Sequence, residues 1–407
     1  MVANKIELCS RDACTGCEAC RSICPEDCIK MVLDREGFLY PEINEDKCIR
    51  CNRCRNVCPI LTEMPSSFQR DEIPKTYACW INNEAIRRQS SSGGLFSAIA
   101  MSVLDEGGVV FGAAFDNNMH LHHVCVDDIA GLEKLRRSKY IQSEIGDSYK
   151  LVKGFLDQNR RVFFVGAPCQ IAGLNKFLGQ DYDNLVTADF ICHGVPSPGV
   201  FSEYVKYLES IYACRLEDII FRDKRKGWPI SLFAIGRLYT GKEVMLTGRE
   251  NGYFYGFLMN YFLRNCCYNC AFKKMPRCGD FTIADFPGIQ REYPDEAHKG
   301  ISCLLANSST AKEYVELLRS KVRFFEEPFS KAREGNRNLY CSVLMPVERE
   351  LFFNEFNKQP FAVLTKKYLI PPFKARIRAF VKCCLSLRAI LFMQKCKYLC
   401  EKILKGF

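Results

Sequence analysis

Apolar and polar residues alternate on both sides of Asp34-Arg35-Glu36-Gly37, across Ile29–Leu33 and 38–43, and predict a small β-hairpin near the N-terminus. β-Branched and aromatic residues concentrate again at Val109–Phe115 and Leu121–Val126, two further strands. Two later segments share one construction: Val162-Phe163-Phe164-Val165 runs into Gly166-Ala167-Pro168-Cys169 and a helix, and 185–191 runs into Cys192-His193-Gly194-Val195-Pro196. Ligands of open α/β sheets bind beyond the carboxyl ends of the strands, so parallel pairing of these two would turn Cys169 and Cys192 into one crevice. Residues 299–306 read as a strand and 309–320 as a helix. After Pro371-Pro372, Ile377, Phe380, Val381, Cys384, Leu385, Ile390 and Leu391 recur with cations between them, the pattern of a basic amphipathic helix.

The same pass shows where regular structure stops. Residues 61–75 hold two prolines, two serines and several charges without periodicity, a linker signature. Ser90-Ser91-Ser92-Gly93-Gly94 is a small-residue turn that opens an apolar helix at Leu95. Such a turn can present backbone N–H groups to a phosphate, and serine and glycine serve equally as plain helix caps.

Cysteine changes the picture most. Cys14, Cys17, Cys20, Cys24-Pro25 and Cys48, Cys51, Cys54, Cys58-Pro59 spell C-x2-C-x2-C-x3-C-P twice, 34 residues apart. Three thiolates on a short loop can wrap three corners of a cubane, and in two-cluster ferredoxins the fourth cysteine ligates the other cluster. The expected sets are Cys14, Cys17, Cys20 and Cys58 for one [4Fe-4S] cluster, and Cys48, Cys51, Cys54 and Cys24 for the second. Structural zinc uses two separated C-x2-C knuckles and gives no reason for the third cysteine and the proline to recur. Cys9 and Cys28 fall outside the ligand frame and read as spare buried thiols. Further on, Cys266, Cys267, Cys270 and Cys278 crowd thirteen positions. C-x2-C-x7-C supplies three ligands, and spacing alone leaves zinc and iron–sulfur open; two clusters upstream favour a third.

Bulk numbers add limits. The chain has 407 residues, enough for two or three domains, with 48% apolar and 26% charged residues. Ten of the 25 cysteines precede residue 60, eight of them in ligand spacing, which indicates a reducing compartment. The N-terminal residues hold no apolar run, so the expected location is cytoplasmic. The net charge of +10 resides in the tail: residues 366–407 carry eleven Lys or Arg against Glu401. A basic groove for nucleic acid is therefore not expected. The tail is a candidate for peripheral contact with the inner face of the cell membrane or for docking a partner.

Several motifs together resemble one family: Ser92-Gly93-Gly94, Ser138-Lys139-Tyr140, Gly166-Ala167-Pro168-Cys169-Gln170, Cys192-His193-Gly194-Val195-Pro196-Ser197-Pro198, and Cys267-x2-Cys270 followed by Cys278-Gly279-Asp280. The chain is similar to the beta subunits of hydrogenases and dehydrogenases that use the deazaflavin coenzyme F420, with a ferredoxin module fused in front. The resemblance reaches to about residue 365 and implies a mixed α/β flavin- and iron–sulfur-binding catalytic domain at 76–365 (parts 76–182 and 183–365), behind the two-cluster [4Fe-4S] ferredoxin-like domain at 1–60 and the linker at 61–75; the basic helical tail at 366–407 falls outside the family pattern. The resemblance further implies FAD near Ser92, Gly93, Gly94, Ser138, Lys139 and Tyr140, with Asp285 in a flavin-side loop; a cation beside a flavin stabilises its reduced anion, and Lys139 is the expected catalytic residue in that role. It also implies a third cluster on Cys267, Cys270 and Cys278 with Cys192 as fourth ligand and Cys169 as its competitor. The expected function is a flavin-dependent iron–sulfur oxidoreductase that exchanges hydride chemistry at FAD for one-electron transfer. Its expected partners are ferredoxin or another redox protein and a small-molecule hydride donor or acceptor such as the deazaflavin coenzyme. The alternative is a non-catalytic electron-transfer subunit of a larger redox complex.

Overall fold

The computed structural model describes residues 6–65, 68–225, 227–228, 234–247 and 250–370; the basic helix expected after Pro372 lies outside the described residues. Strands β1 (Ile29–Leu33) and β2 (Leu39–Ile43) form an antiparallel hairpin. β3 (Lys75–Ile81), β4 (Val109–Phe115), β5 (Leu121–Val126), β6 (Val162–Val165) and β7 (Leu185–Phe190) enter the main sheet. β8 (Leu216–Phe221), β9 (Ala234–Leu238) and β10 (Glu243–Leu246) make a separate antiparallel sheet, and β11 (Phe281–Asp285), β12 (Ser302–Ala306) and β13 (Val322–Glu327) complete the main one. Its order is β13-β3-β12-β11-β7-β6-β4-β5. The four strands β4, β6, β7 and β11 run parallel in the middle, and the flanking strands pair antiparallel. The mixed α/β architecture is the one expected.

β6 and β7 are parallel neighbours because the helix Pro168–Leu178 carries the chain back between them. Val162, Phe163 and Phe164 are fully buried, as a strand covered on both faces requires. One face lies under the helices Leu95–Asp105, Ile129–Leu135 and Ser309–Leu317. The other lies under Ser148–Asp157 and Pro168–Leu178, together with Ala19 and Val57 of the N-terminal module.

The module is built into this core rather than tethered to it. Asp34 closes the β1–β2 turn by accepting from Phe38 N at 2.7 Å and Glu36 N at 3.0 Å. Gly37, with φ +77, then packs so closely that a Cβ there would meet Gly199 Cα at 2.6 Å. Phe38 and Tyr40 are buried in one apolar cluster with Phe201, Tyr204 and Tyr253. Full burial of one such ring contributes about 1.5–3 kcal/mol. Arg349 grips Glu36 at 2.6 Å from the far end of the fold. Residues 61–75 hold no helix or strand before Lys75 among those described, yet they are fastened. Arg70 pairs with Asp280 at 3.0 Å, Asp71 N donates to Asn307 O at 2.7 Å, and Lys176 Nζ donates to Glu63 O at 2.9 Å.

His123 on β5 stacks on Phe164, donates from Nε2 to Val165 O at 3.0 Å and accepts at Nδ1 from Ser143 Oγ at 3.1 Å. Burial lowers its pKa to about 4. The neutral form is therefore native, and its stabilisation is full above the unfolded pKa near 6.5 and is lost as pH falls towards 4. Glu18, raised to about 7 by burial, titrates in the opposite sense, so the contribution is read against a variant. His123→Gln should remove a pH-dependent loss of about 1 kcal/mol between pH 7 and 5.5. Denaturant titrations at both pH values measure it; equal slopes in wild type and variant would refute it.

Candidate functional site

The doubled cysteine motif folds as two copies of one loop. Between the first three cysteines of each copy the backbone turns left-handed twice, at Gly16 (φ +66) and Glu18 (φ +60), and 34 residues later at Arg50 (φ +56) and Asn52 (φ +58). Glu18 and Arg50 are unusual residues for this region, and such strain concentrates where a ligand geometry demands it. The two loops wall two neighbouring cavities. One is lined by Cys14, Cys17, Cys20 and Cys58, with Cys9 and Cys54 also on its wall. The other is lined by Cys24, Cys48, Cys51 and Cys54, with Cys28 beside them. Cys24 and Cys58 thus face the cavity of the other repeat. The reason is local: the helix Ala19–Ile23 ends at Cys24 (ψ 116), which Pro25 holds extended, and carries the thiol away from its own loop.

Cys9 is more than a spare thiol. It hydrogen-bonds to both Cys14 and Cys58, and these bonds lower the pKa of both, favouring thiolates there. Cys28 Sγ lies 3.3 Å from Cys24 Sγ. Among the described residues, no three His, Cys, Asp or Glu side chains converge tightly enough to hold a single metal ion. Each cavity instead gathers at least four thiols within apolar walls that include Ile6, Ile29, Ile43 and Ile60, a donor set that suits a cubane.

A third cysteine group lies beyond the carboxyl ends of β6 and β7. Cys169 stands in the first turn of Pro168–Leu178 and Cys192 follows β7 by two residues. Cys267 and Cys270 come from the 3-10 turn Asn265–Asn269 and its cap. Burial raises the Cys169 pKa well up, and its strongest charge neighbours are Cys192, Cys270 and Cys267. Cys192 in turn responds, after burial, to Cys267 and Cys270. A hydrogen bond from Cys266 pulls Cys267 the other way, and Val195 N donates to its Sγ at 3.4 Å. Lys273 stands beside the group, with Nζ donating to His193 O at 3.0 Å.

Cys278 is placed differently. It precedes β11, Asn175 Nδ2 donates to its carbonyl at 3.2 Å, and its charge neighbours are Asp189, Arg277, Lys274 and Arg70. Of the cysteines expected here, Cys169 thus has Cys192, Cys267 and Cys270 as its charge neighbours, whereas Cys278 has none of them among its strongest. C-x2-C-x7-C counted residues, but β11 runs parallel to β7, so a cysteine preceding β11 is directed away from one following β7.

A cavity of about 400 Å³ opens beside the serine–glycine turn. Its lining includes Ser90, Ser91, Arg88, Arg137, Arg222, Lys224 and Arg225 against the single carboxylate of Asp223. Arg222 is paired with Asp285, and its buried Nε has no hydrogen-bond partner. Lys224 Nζ donates to Ser92 O and Lys299 O, each at 2.8 Å, and to Arg87 O. The neighbouring segments are joined by Ser138 N donating to Ser91 Oγ at 2.8 Å and Arg137 Nε donating to Gln89 O at 3.1 Å.

The residues expected at a flavin, Ser92, Gly93, Gly94, Ser138, Lys139 and Tyr140, lie around this cavity and not on its wall. The Gly93 amide is spent on Ser302 Oγ at 2.9 Å, and a Cβ on Gly93 would meet Cys79 O at 2.4 Å. That glycine lets the turn lie on β3 and β12. Gly94 (φ +87) caps the helix Leu95–Asp105. Lys139 Nζ donates to Arg136 O at 2.8 Å and Leu135 O at 3.2 Å, closing the helix Ile129–Leu135, and burial lowers its pKa to about 7. The cations on the cavity wall are Arg88, Arg137, Arg222, Lys224 and Arg225, none of which any motif singled out. Tyr140 stands beside Arg222, whose charge acts on its hydroxyl, and its ring packs on Phe257 at 4.9 Å. Phe257 also meets His193 at 4.9 Å, so the rings of Tyr140, Phe257 and His193 run from the Arg222 side of the cavity to the neighbour of Cys192.

Three family models match the chain. "4Fe-4S dicluster domain" matches residues 13–61. The N-terminal model of "Coenzyme F420 hydrogenase/dehydrogenase, beta subunit" matches 76–149, and its C-terminal counterpart matches 159–331. No curated protein matches. Among solved structures, a chain of the F420-reducing [NiFe] hydrogenase complex from Methanosarcina barkeri is similar at 12% identity, over 68% of this chain and 93% of that one, with a TM-score of 0.46. The two beta-subunit models between them span more than half the residues, directly behind a module that holds iron–sulfur clusters, and the chain accordingly belongs to the coenzyme F420 hydrogenase/dehydrogenase beta-subunit family.

Proposed function

We propose that this chain is the iron–sulfur electron-transfer subunit of an oxidoreductase and that it binds FAD in the basic cavity beside Ser90 and Ser91. The observation that carries the second half is the cavity: among the described residues Arg88, Arg137, Arg222, Lys224 and Arg225 line it with one carboxylate, Asp223, and the Arg222 Nε is a buried donor left without an acceptor even though Asp285 pairs with the same guanidinium. A phosphate or a flavin ring edge would satisfy it. Bound FAD would supply two-electron hydride chemistry, whereas cubane clusters exchange single electrons.

The chain's own residues have definite parts. Cys14, Cys17, Cys20 and Cys58 would hold one cluster, Cys24, Cys48, Cys51 and Cys54 a second, and Cys169, Cys192, Cys267 and Cys270 a third. Arg137 and Arg222 would meet the flavin's negative charge, Asp285 orients Arg222, and Lys139 supports Arg137 by closing the helix behind it. Tyr140 and Phe257 exclude water between the cavity and the third cage. A ferredoxin-type protein suits the module as redox partner, and the small-molecule partner would be a deazaflavin, a nicotinamide or another hydride carrier.

A second reading, an electron-transfer subunit without flavin, is favoured by the dicluster match, since the cages need no flavin. Acid release of FAD from anaerobically purified chain separates the two. About one FAD per chain is expected, with Arg222→Ala weakening FAD binding on the order of tenfold, the loss of one charge-assisted hydrogen bond, at unchanged iron content. No FAD after reconstitution would leave the second reading standing.

A further inference from the structure

Arg264 is fully buried, and its backbone and side chain belong to different cysteine groups. Its carbonyl accepts from Cys267 N at 2.9 Å, which places its backbone in the third group. Its guanidinium reaches into the N-terminal module: Nε donates to Cys14 O at 2.7 Å, Nη2 to Leu39 O at 3.0 Å and to Cys14 Sγ at 3.8 Å, and Nη1 to Gln142 Oε1 at 3.1 Å. The charge lies 4.0 Å above the Tyr40 ring. Among the described residues no carboxylate pairs with it. A buried cation surrounded by neutral acceptors is costly unless a negative charge stands nearby, and here the nearest candidates are cysteine sulfurs.

We propose that Arg264 is a positioning residue whose counter-charge is the cluster held by Cys14, Cys17, Cys20 and Cys58, and that it makes this inner cluster easier to reduce than the outer one held by Cys24, Cys48, Cys51 and Cys54. Adding an electron adds negative charge, which a desolvated guanidinium on a ligand sulfur stabilises. Among the described residues, the outer cage has no comparable buried cation. Arg50 and Arg53 beside it are exposed, so solvent and salt screen them. The difference would draw electrons from the surface side of the module towards the third group.

This inference rests on the cluster assignment above, and one experiment separates the two. Anaerobically purified full chain is titrated potentiometrically with EPR detection in wild type, Arg264→Met and Arg264→Lys, with iron counted in each. Arg264→Met should lower the equilibrium constant for one-electron reduction of one module cluster at least tenfold, about 59 mV, with the other cluster unmoved. Arg264→Lys should restore most of it. Unchanged potentials at full iron content would overturn the inference while leaving the cluster assignment intact; wild type without module clusters would remove both. A second measurement needs no variant. In chain labelled with nitrogen-15 at the arginine guanidinium nitrogens alone, which leaves the Arg21 amide beside Cys20 silent, pulsed EPR of the reduced inner cluster should show a weak nitrogen coupling through the Cys14 contact, and its absence would overturn the proposal even if Arg264→Met failed to fold.

Discussion

Cys58→Ser should abolish the same EPR signal as Cys14→Ser, although Cys58 closes the second repeat. Cys24→Ser should pair in the same way with Cys48→Ser. Each change removes one of four thiolates from a cage whose other walls are apolar, and the serine hydroxyl is a poor substitute at neutral pH. The expectation follows from the cavity linings: Cys58 stands with Cys14, Cys17 and Cys20, and Cys24 with Cys48, Cys51 and Cys54. The measurement is EPR of the dithionite-reduced chain with iron per chain. Each variant should lose one module signal in full and keep the other. A Cys58→Ser spectrum matching that of Cys48→Ser would mean that each repeat holds its own cluster.

The largest stability loss outside the cysteines is expected from Asp189→Ala. Asp189 and Arg277 are both buried, 2.9 Å apart. The carboxylate also accepts from Thr282 Oγ1 at 2.7 Å and Gly279 N at 3.2 Å, while Arg277 reaches Phe272 O at 3.0 Å and Phe190 O at 3.2 Å. Removing the acid strands a guanidinium in the core, which costs about 3–5 kcal/mol. Next to this pair, Asp280 accepts from Thr187 N and Oγ1 and from Ser308 Oγ, which fastens the start of β11 to β7. These bonds hold the loop containing Cys270 and Lys273 against the end of β7, so the third cage should loosen as the fold weakens. Asp189→Asn keeps an acceptor and should lose less. Anaerobic denaturant unfolding followed by fluorescence and by cluster absorbance measures both; a loss below about 1 kcal/mol for Asp189→Ala would show that Arg277 finds other acceptors.

Much of this protein was legible from local pattern. The β1–β2 hairpin, β4, β5, β6 and β7 follow from short-range alternation and from apolar runs that only burial on both faces allows. The doubled cysteine motif carried its crossed pairing because its loops are short: a proline after the fourth cysteine dictates where that thiol turns within a few residues. The spacing of Cys169 and Cys192 after two similar strands was equally informative, since parallel strands bring their ends together.

What the sequence did not contain are relations between distant segments. The 61–75 stretch has linker composition, yet Arg70 meets Asp280 some 200 positions on, and no local rule encodes that pair. Lys139 and Gly93 sat in the motifs nearest the cavity, but their donors are consumed by a helix end and by Ser302. The arginines that line the cavity came from unremarkable stretches. Cys278 had ligand spacing and a strand direction that carries it elsewhere. Short-range chemistry and hydrophobic period thus determined the elements and the two module cages. The tertiary fold decided which cations face the cavity, which cysteines form the third group and where Arg264 places its charge, because burial and hydrogen bonding are settled by whichever partner the packed chain brings within reach.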